Sequence, residues 1–166
     1  MPAQDPFPYR FDALRHRRWV GPAEVAVHCH HYNSRLQRAV EQATVEGAGR
    51  SLVVGTAEAV FAELLPRALP EGLAGPEALE QAAAFYARLG FGRFDLALAG
   101  EGEVRATASH FAEGWRINWP AHRAPVCSFA AGFLQAALAL ARGRRAAVRE
   151  VACLAAGDPA CRFVVD

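Results

Sequence analysis

The chain lacks the features that announce several function classes. No apolar run approaches the roughly 20 residues of a membrane-spanning helix. No charged-then-apolar leader with a cleavage site opens it, so a reducing cytoplasm is the expected setting and disulfides are disfavoured. There is no P-loop, no dinucleotide-binding glycine motif and no catalytic Ser or Cys signature. Nothing in it would hold a nicotinamide. Excess charge of either sign is missing too: 18 Lys and Arg stand against 17 Asp and Glu, a formal net charge of +1. Such a balance gives no whole-molecule attraction to nucleic acid or a membrane surface, and neither is expected as a partner. Internal repeats and low-complexity segments are absent.

What is there reads as one globular domain. A chain of 166 residues, 52% hydrophobic and 21% charged, is long enough and apolar enough to bury a proper core. Residues 1–20 read as an N-terminal arm: Met1–Pro8 is proline-rich and without periodicity, and Phe7, Tyr9 and Phe11 could pack on a second subunit. The basic cluster of Arg10, Arg15, His16, Arg17 and Arg18 reads first as a solvated face. Residues 21–166 read as the domain. Glu24–His31 alternates as a strand, and Asn33 is a fair N-cap for a helix from Ser34 to about Val45. A second helix spans about Arg50–Leu65, ended by Pro66, Pro70 and Gly72. A third runs from Pro76 to Leu89 and stops at Gly90. Phe91–Leu98 and Glu103–His110 are strands joined at Ala99–Gly102. Phe111–Val126, with Pro120 and Pro125, reads as a loop. Strand, helices, hairpin, helix, hairpin is the order of an α+β domain with helices on one face of a mostly antiparallel sheet.

The last forty residues carry the most specific chemistry. Three of the four cysteines are here, Cys127, Cys153 and Cys161, with Glu150 three positions before Cys153. Cys153 and Cys161 flank the turn Ala156-Gly157-Asp158-Pro159, so each arm of a β-hairpin carries one sulfur. Cys127 precedes a helix over Phe129–Ala141 that packs behind the hairpin. Three thiols and a carboxylate brought together suit tetrahedral zinc. The same spacing also fits a Cys153–Cys161 disulfide, or three small core cysteines with no metal. One difficulty is local: an odd spacing aims Glu150 and Cys153 at opposite faces of an ideal strand. A bulge or strand end is needed to bring both to one ion.

The order Cys127-Ser128-Phe129 with Gly132 and Phe133, then Val148, Glu150 and Cys153, then Gly157, Asp158, Cys161 and Phe163, resembles the 4-vinyl reductase domain family. That family includes phenol- and xylene-sensing domains of bacterial activators of aromatic catabolism, and small stand-alone proteins. The resemblance implies an α+β fold with a C-terminal zinc-bearing hairpin. It implies a structural zinc on Cys127, Glu150, Cys153 and Cys161, and a homodimer. The family's name is no evidence of a reductase, and the chain lacks the ATPase and DNA-binding modules of the activators. A sensor of this kind must pass its signal to another protein.

A second constellation is imidazole-rich. Of six histidines, His28, His30 and His31 lie together beside Cys29, His110 ends a strand, and His122 falls between Trp119 and Cys127. A lone histidine is usually hydrogen-bonded structure, but imidazole is also a common metal ligand and a ready acid or base. On a strand, His28 and His30 would share one face. In the sensor relatives an aromatic residue and a histidine recognise a phenolic hydroxyl. By residue type, His30, His110, Trp115, Trp119 and His122 are the candidates for ligand contact here, with Phe85 on the apolar wall beside Tyr86.

The leading functional expectation is therefore a binding module for a small apolar, aromatic or polycyclic ligand, with zinc holding the hairpin. The alternative is an enzyme acting through His30, His31 and His110, which are also the candidates for a second metal. A structural or assembly role is the third reading, since distant relatives occur in trafficking complexes.

Overall fold

The computed structural model describes residues 6–45 and 47–166. Asp12 accepts hydrogen bonds from the N–H groups of Leu14 and Arg15 at 3.0 Å each, an Asx turn. With Gly21 at φ 54°, it folds the chain's start into three strands, β1 (Tyr9–Asp12), β2 (Arg17–Val20) and β3 (Ala23–Val25). They pair in order as an antiparallel meander. Three helices follow: α1 (His30–Gln42), α2 (Ala48–Ala68) and α3 (Gly75–Arg88). Then come β4 (Gly92–Asp95), β5 (Glu103–Ser109), α4 (His110–Asn118), α5 (Ser128–Arg142), β6 (Val148–Ala152) and β7 (Cys161–Val165). The last four strands form an antiparallel sheet in the order β4-β5-β7-β6.

Alternation decides which face of this sheet is covered. Val104 and Ala106 of β5 and Cys161 and Phe163 of β7 are buried. Between them, Arg105 and Arg162 point away and share Glu103, at 2.7 and 3.6 Å. The buried face meets the helices. α5 is apolar nearly all round, as a helix packed on several sides must be, and it touches α2, α3 and β6. Phe133 of α5 lies 4.3 Å from the Tyr86 ring, 4.9 Å from Phe61 and 5.6 Å from Phe94. Each fully buried aromatic of this kind contributes about 1.5–3 kcal/mol. Gly132 lets α2 and α5 approach: a Cβ there would lie 2.2 Å from the Val54 carbonyl oxygen and 2.8 Å from Ala57 Cβ.

The α+β architecture with antiparallel sheets is as expected, and so are α3, with Pro76 in its first turn, and α5. Several local readings are corrected. Residues 9–20 are not a loose arm, because they fold into the meander; Met1–Asp5 lie outside the described residues. Phe7 is buried in its own chain, 4.9 Å from the Phe85 ring, so it is not free to pack on a partner. The strand expected over Glu24–His31 is only Ala23–Val25, and His30 and His31 open α1 instead. Asn33 does not cap that helix: its side-chain amide is drawn to His110, 2.9 Å away, a tertiary bond that outcompetes the local one. Phe111–Asn118 is helix and not loop. Ser109 accepts from the Ala112 N–H at 3.2 Å and Glu113 sits in the first turn, both favourable at a helix N-terminus. Finally, α2 carries on through Pro66 to Ala68, because a proline in the last turn forfeits little of the hydrogen-bond ladder.

Candidate functional site

Two irregularities in the sheet assemble the cysteine cluster. In β6, Glu150 lies opposite Phe163 and Ala152 opposite Arg162, so the pairing slips by one residue at Val151. That bulge removes the parity conflict: Glu150 stays on the buried side and the next inward position falls to Cys153. A second slip between β4 and β5 sets Phe94 opposite Ala106 and Arg93 opposite Ala108. It turns Ser109 inward, where strict alternation would leave it on the solvent face with Arg105 and Thr107.

The three sulfurs are fully buried. Cys127 Sγ is 3.6 Å from Cys161 Sγ and 3.9 Å from Cys153 Sγ, and the third edge is 3.8 Å. A disulfide needs about 2.05 Å, so these are free thiols. A tetrahedral ion with metal–sulfur bonds of about 2.3 Å has sulfur–sulfur edges of about 3.8 Å, which the triangle matches. Glu150 supplies the fourth corner, and all four ligand atoms lie within 4.8 Å of one another. Its Oε2 accepts from the Cys127 N–H at 2.7 Å, while Oε1 is buried with no hydrogen-bond partner. A buried carboxylate oxygen without a donor fits a cation. The cluster could therefore hold a metal ion.

The supporting contacts have the same sense. The Leu154 N–H donates to Cys161 Sγ at 3.5 Å, and Ser109 Oγ lies 3.2 Å from Cys127 Sγ. Asp158 accepts from the Cys153 N–H at 2.7 Å and so fixes the turn between the two hairpin sulfurs. Without a cation the groups compete for protons. Burial, then the charge on Cys153, pushes Glu150 up to about 8. Hydrogen bonds from Cys127 and Cys161 favour the thiolate at Cys153, and the Cys127 thiol is pushed up by the same contacts. The arrangement stores one negative charge among four groups and favours binding a cation over staying empty of one.

A cavity of about 750 Å³ lies beside the cluster. α1 contributes Asn33, Leu36, Gln37 and Val40 to its wall, and α2 contributes Leu52, Val53, Thr56, Ala57 and Val60. The meander and the segment after it close another side with Tyr9, Val20 and Val25–His28. The remainder is Arg88–Phe91, His110, Phe111 and Phe129. Leu36, Leu52, Val60 and Val27 are each more than half exposed, so the cavity opens to solvent along an apolar rim. Phe129 joins the two features. It sits two residues after Cys127, and its ring lies 4.8 Å from Phe91 and 5.0 Å from Phe111.

Of the ligand-contact candidates, the structure sets only His110 on this wall. Its Nε2 faces the Asn33 amide nitrogen at 2.9 Å, so Nε2 accepts and the ring proton sits on Nδ1. Burial, then the nearby His30, lowers its pKa, which keeps the ring neutral. His30 is close by, with ring centroids 6.1 Å from His110 and 4.3 Å from His31, but it packs between α1 and α4 and does not line the cavity. His31 turns outward to Asn118 at 3.2 Å. Among the described residues these imidazoles do not converge as the cysteines do, which removes the basis for a second metal. Trp115, Trp119 and His122 form their own group: Trp115 is buried, 4.8 Å from Trp119 and 5.7 Å from His122, and the Arg38 guanidinium covers Trp119 at 4.3 Å. Phe85 is core. The strand reading misplaced these residues, because a helix rotates successive side chains by about 100° where a strand alternates them.

The sequence reading missed the α1 and α2 wall. One signal could have found it: α2 is apolar around its circumference, yet only Gly49, Ala57, Phe61 and Leu65 are buried. A helix with that pattern has a second apolar surface to cover.

Fold and site together define an α+β domain with a buried thiol–carboxylate cluster beside a separate apolar cavity. Residues 105–166 match the model of the 4-vinyl reductase domain, so the resemblance read from the cysteine-bearing C-terminus holds. Over 95% of this chain and 83% of the other, the fold is similar to the phenol-responsive sensory domain of the transcription activator PoxR, solved with phenol, at 20% identity and TM-score 0.75. A vinyl-4-reductase family protein from Methanocaldococcus jannaschii is similar at 15% identity and TM-score 0.58, covering 86% of this chain and 83% of that one. No curated protein matches the chain. Among the described residues no helix is long and apolar enough to cross a membrane.

Proposed function

We propose that the protein is a binding module for a small, mostly apolar ligand, aromatic or polycyclic, held in the cavity between α1, α2 and the meander. The carrying observation is the cavity itself. Its size falls in the range of sites that enclose small molecules, and its wall is apolar with a few polar groups. The match to the 4-vinyl reductase domain and the likeness to a phenol-responsive domain support the same reading. At about 750 Å³ the space exceeds a single phenol ring, which favours a larger ligand. His110, neutral and carrying its proton on Nδ1, is the candidate donor to a ligand oxygen.

Zinc is the metal proposed for Cys127, Glu150, Cys153 and Cys161. Three thiolates select a borderline-soft ion, and four protein ligands leave no open position, so its role is structural. It would hold the start of α5, and with it Phe129, against the cavity. A homodimer in the cytoplasm, signalling to a separate protein, completes the proposal. Tyr9 and Phe11, 52% and 43% exposed, remain as apolar contacts for a second copy. The enzyme reading is weaker, because of His30, His31 and His110 only His110 reaches the cavity wall.

Calorimetric titration with 2-naphthol tests the binding reading. Saturable binding is expected, and Val53→Trp, which fills the cavity from α2, should abolish it while the far-UV circular dichroism stays unchanged. Equal binding by Val53→Trp would place the ligand elsewhere.

A further inference from the structure

Gln37 is the one polar side chain of the cavity wall that is nearly fully buried, at 4% exposure. Its amide nitrogen donates to the Val126 carbonyl oxygen at 2.7 Å and to Glu41 Oε1 at 3.0 Å. Ser128 Oγ donates to the same Glu41 oxygen at 3.1 Å. Both N–H groups of the amide are thus committed to acceptors. The amide cannot turn over, since that would set its own oxygen against a carbonyl and a carboxylate. Its Oε1 is fixed in place, buried, and without a donor from the protein. Buried acceptors are nearly always paired, because an unpaired one costs stability. The neighbouring wall from α1 and α2, Leu36, Val40 and Val53, has no donor to offer.

We infer that the ligand supplies this donor: the site selects apolar ring compounds that carry a hydroxyl or N–H group able to donate to Gln37 Oε1. This rests on the cavity being the binding site and adds to that reading the class of ligand. The polar strip is continuous, since Asn33 lies one turn before Gln37 on the same helix face and is bonded to His110. A hydroxyl has the matching duality, donating to Gln37 and accepting from the His110 Nδ1–H. The same amide grips the carbonyl of Val126, the residue before Cys127. Ligand and cysteine cluster are thereby joined through one side chain.

The test is a set of calorimetric titrations of the full chain, metal retained, with 2-naphthol, 2-methoxynaphthalene and naphthalene. Both oxygenated compounds can accept from His110, so the difference between them reads the donor alone. 2-Naphthol should bind about tenfold or more tightly than 2-methoxynaphthalene, because a site built around a buried acceptor rejects analogues without the donor. Gln37→Leu should weaken 2-naphthol alone and bring the two within about twofold. Should Gln37→Leu not fold, Gln37→Met, with a flexible side chain of similar length, takes its place. Equal affinities in the unaltered protein overturn the role of Gln37 and leave the cavity reading standing. A preference that survives in Gln37→Leu or Gln37→Met overturns it too. Failure of all three compounds to bind overturns both.

Discussion

The cysteine cluster and the cavity meet at the first turn of α5, yet they are built in opposite ways. The cluster depends on four residues whose chemistry is irreplaceable, three of them within or beside one hairpin. The cavity depends on apolar residues from many segments, each exchangeable for another of similar size. The cluster contains groups that are costly to bury alone, while the cavity leaves apolar surface uncovered and open to solvent. Stability should therefore be concentrated at the first and ligand selection at the second.

Removing the metal, or substituting Cys153→Ser, should have the largest effect. Metal binding is coupled to folding, so a loss of about 4 kcal/mol or more is expected in denaturant unfolding. Metal analysis should read one zinc per chain before chelation. A chelated protein that unfolds at the same denaturant concentration would erase the contrast between the two regions.

An intermediate effect belongs to Gly132, which serves both by setting α5 against α2. Gly132→Ala should cost about 1–3 kcal/mol through overpacking against Val54 and Ala57. It should also weaken 2-naphthol binding, since Ala57 belongs to the cavity wall. Unchanged stability would show that the helices separate freely.

The smallest effect is a pH dependence at His110. Its folded-state pKa lies below the ordinary 6.5, from burial first and His30 second, with Glu113 opposing. The unfolded chain then binds a proton that the folded chain resists. Stability from this group is present above 6.5 and is lost as pH falls below it. His110→Asn should flatten that part of the stability profile, measured by thermal unfolding across mildly acidic pH. A profile as steep in the variant would assign the loss to another group.

The two regions also differed in legibility. Cys127, Glu150, Cys153 and Cys161 were readable because their residue types are rare and chemically specific, and because a short hairpin leaves little freedom in where its two arms meet. Even the need for a bulge between Glu150 and Cys153 followed from strand parity. The cavity was not readable in that way. His30 and His31 looked like strand residues until α1 began at His30, and Trp115 and Trp119 looked like loop residues until Ser109 capped α4. Asn33 matched a helix cap, but its amide is spent on His110, 77 positions away in sequence.

By itself, then, the sequence determined the class of fold, the helices with clear caps and stops, and the four residues of the cluster. Those depend on local propensity, on side-chain period and on donor chemistry, all of which are carried by neighbouring residues. Only the tertiary structure decided which face of α2 stays uncovered, that Gln37 is buried with its oxygen unpaired, and that His110 and not His30 reaches the cavity. A cavity is the space that packing leaves unfilled. Its shape depends on how distant segments sit against one another, and no residue's type or spacing records that.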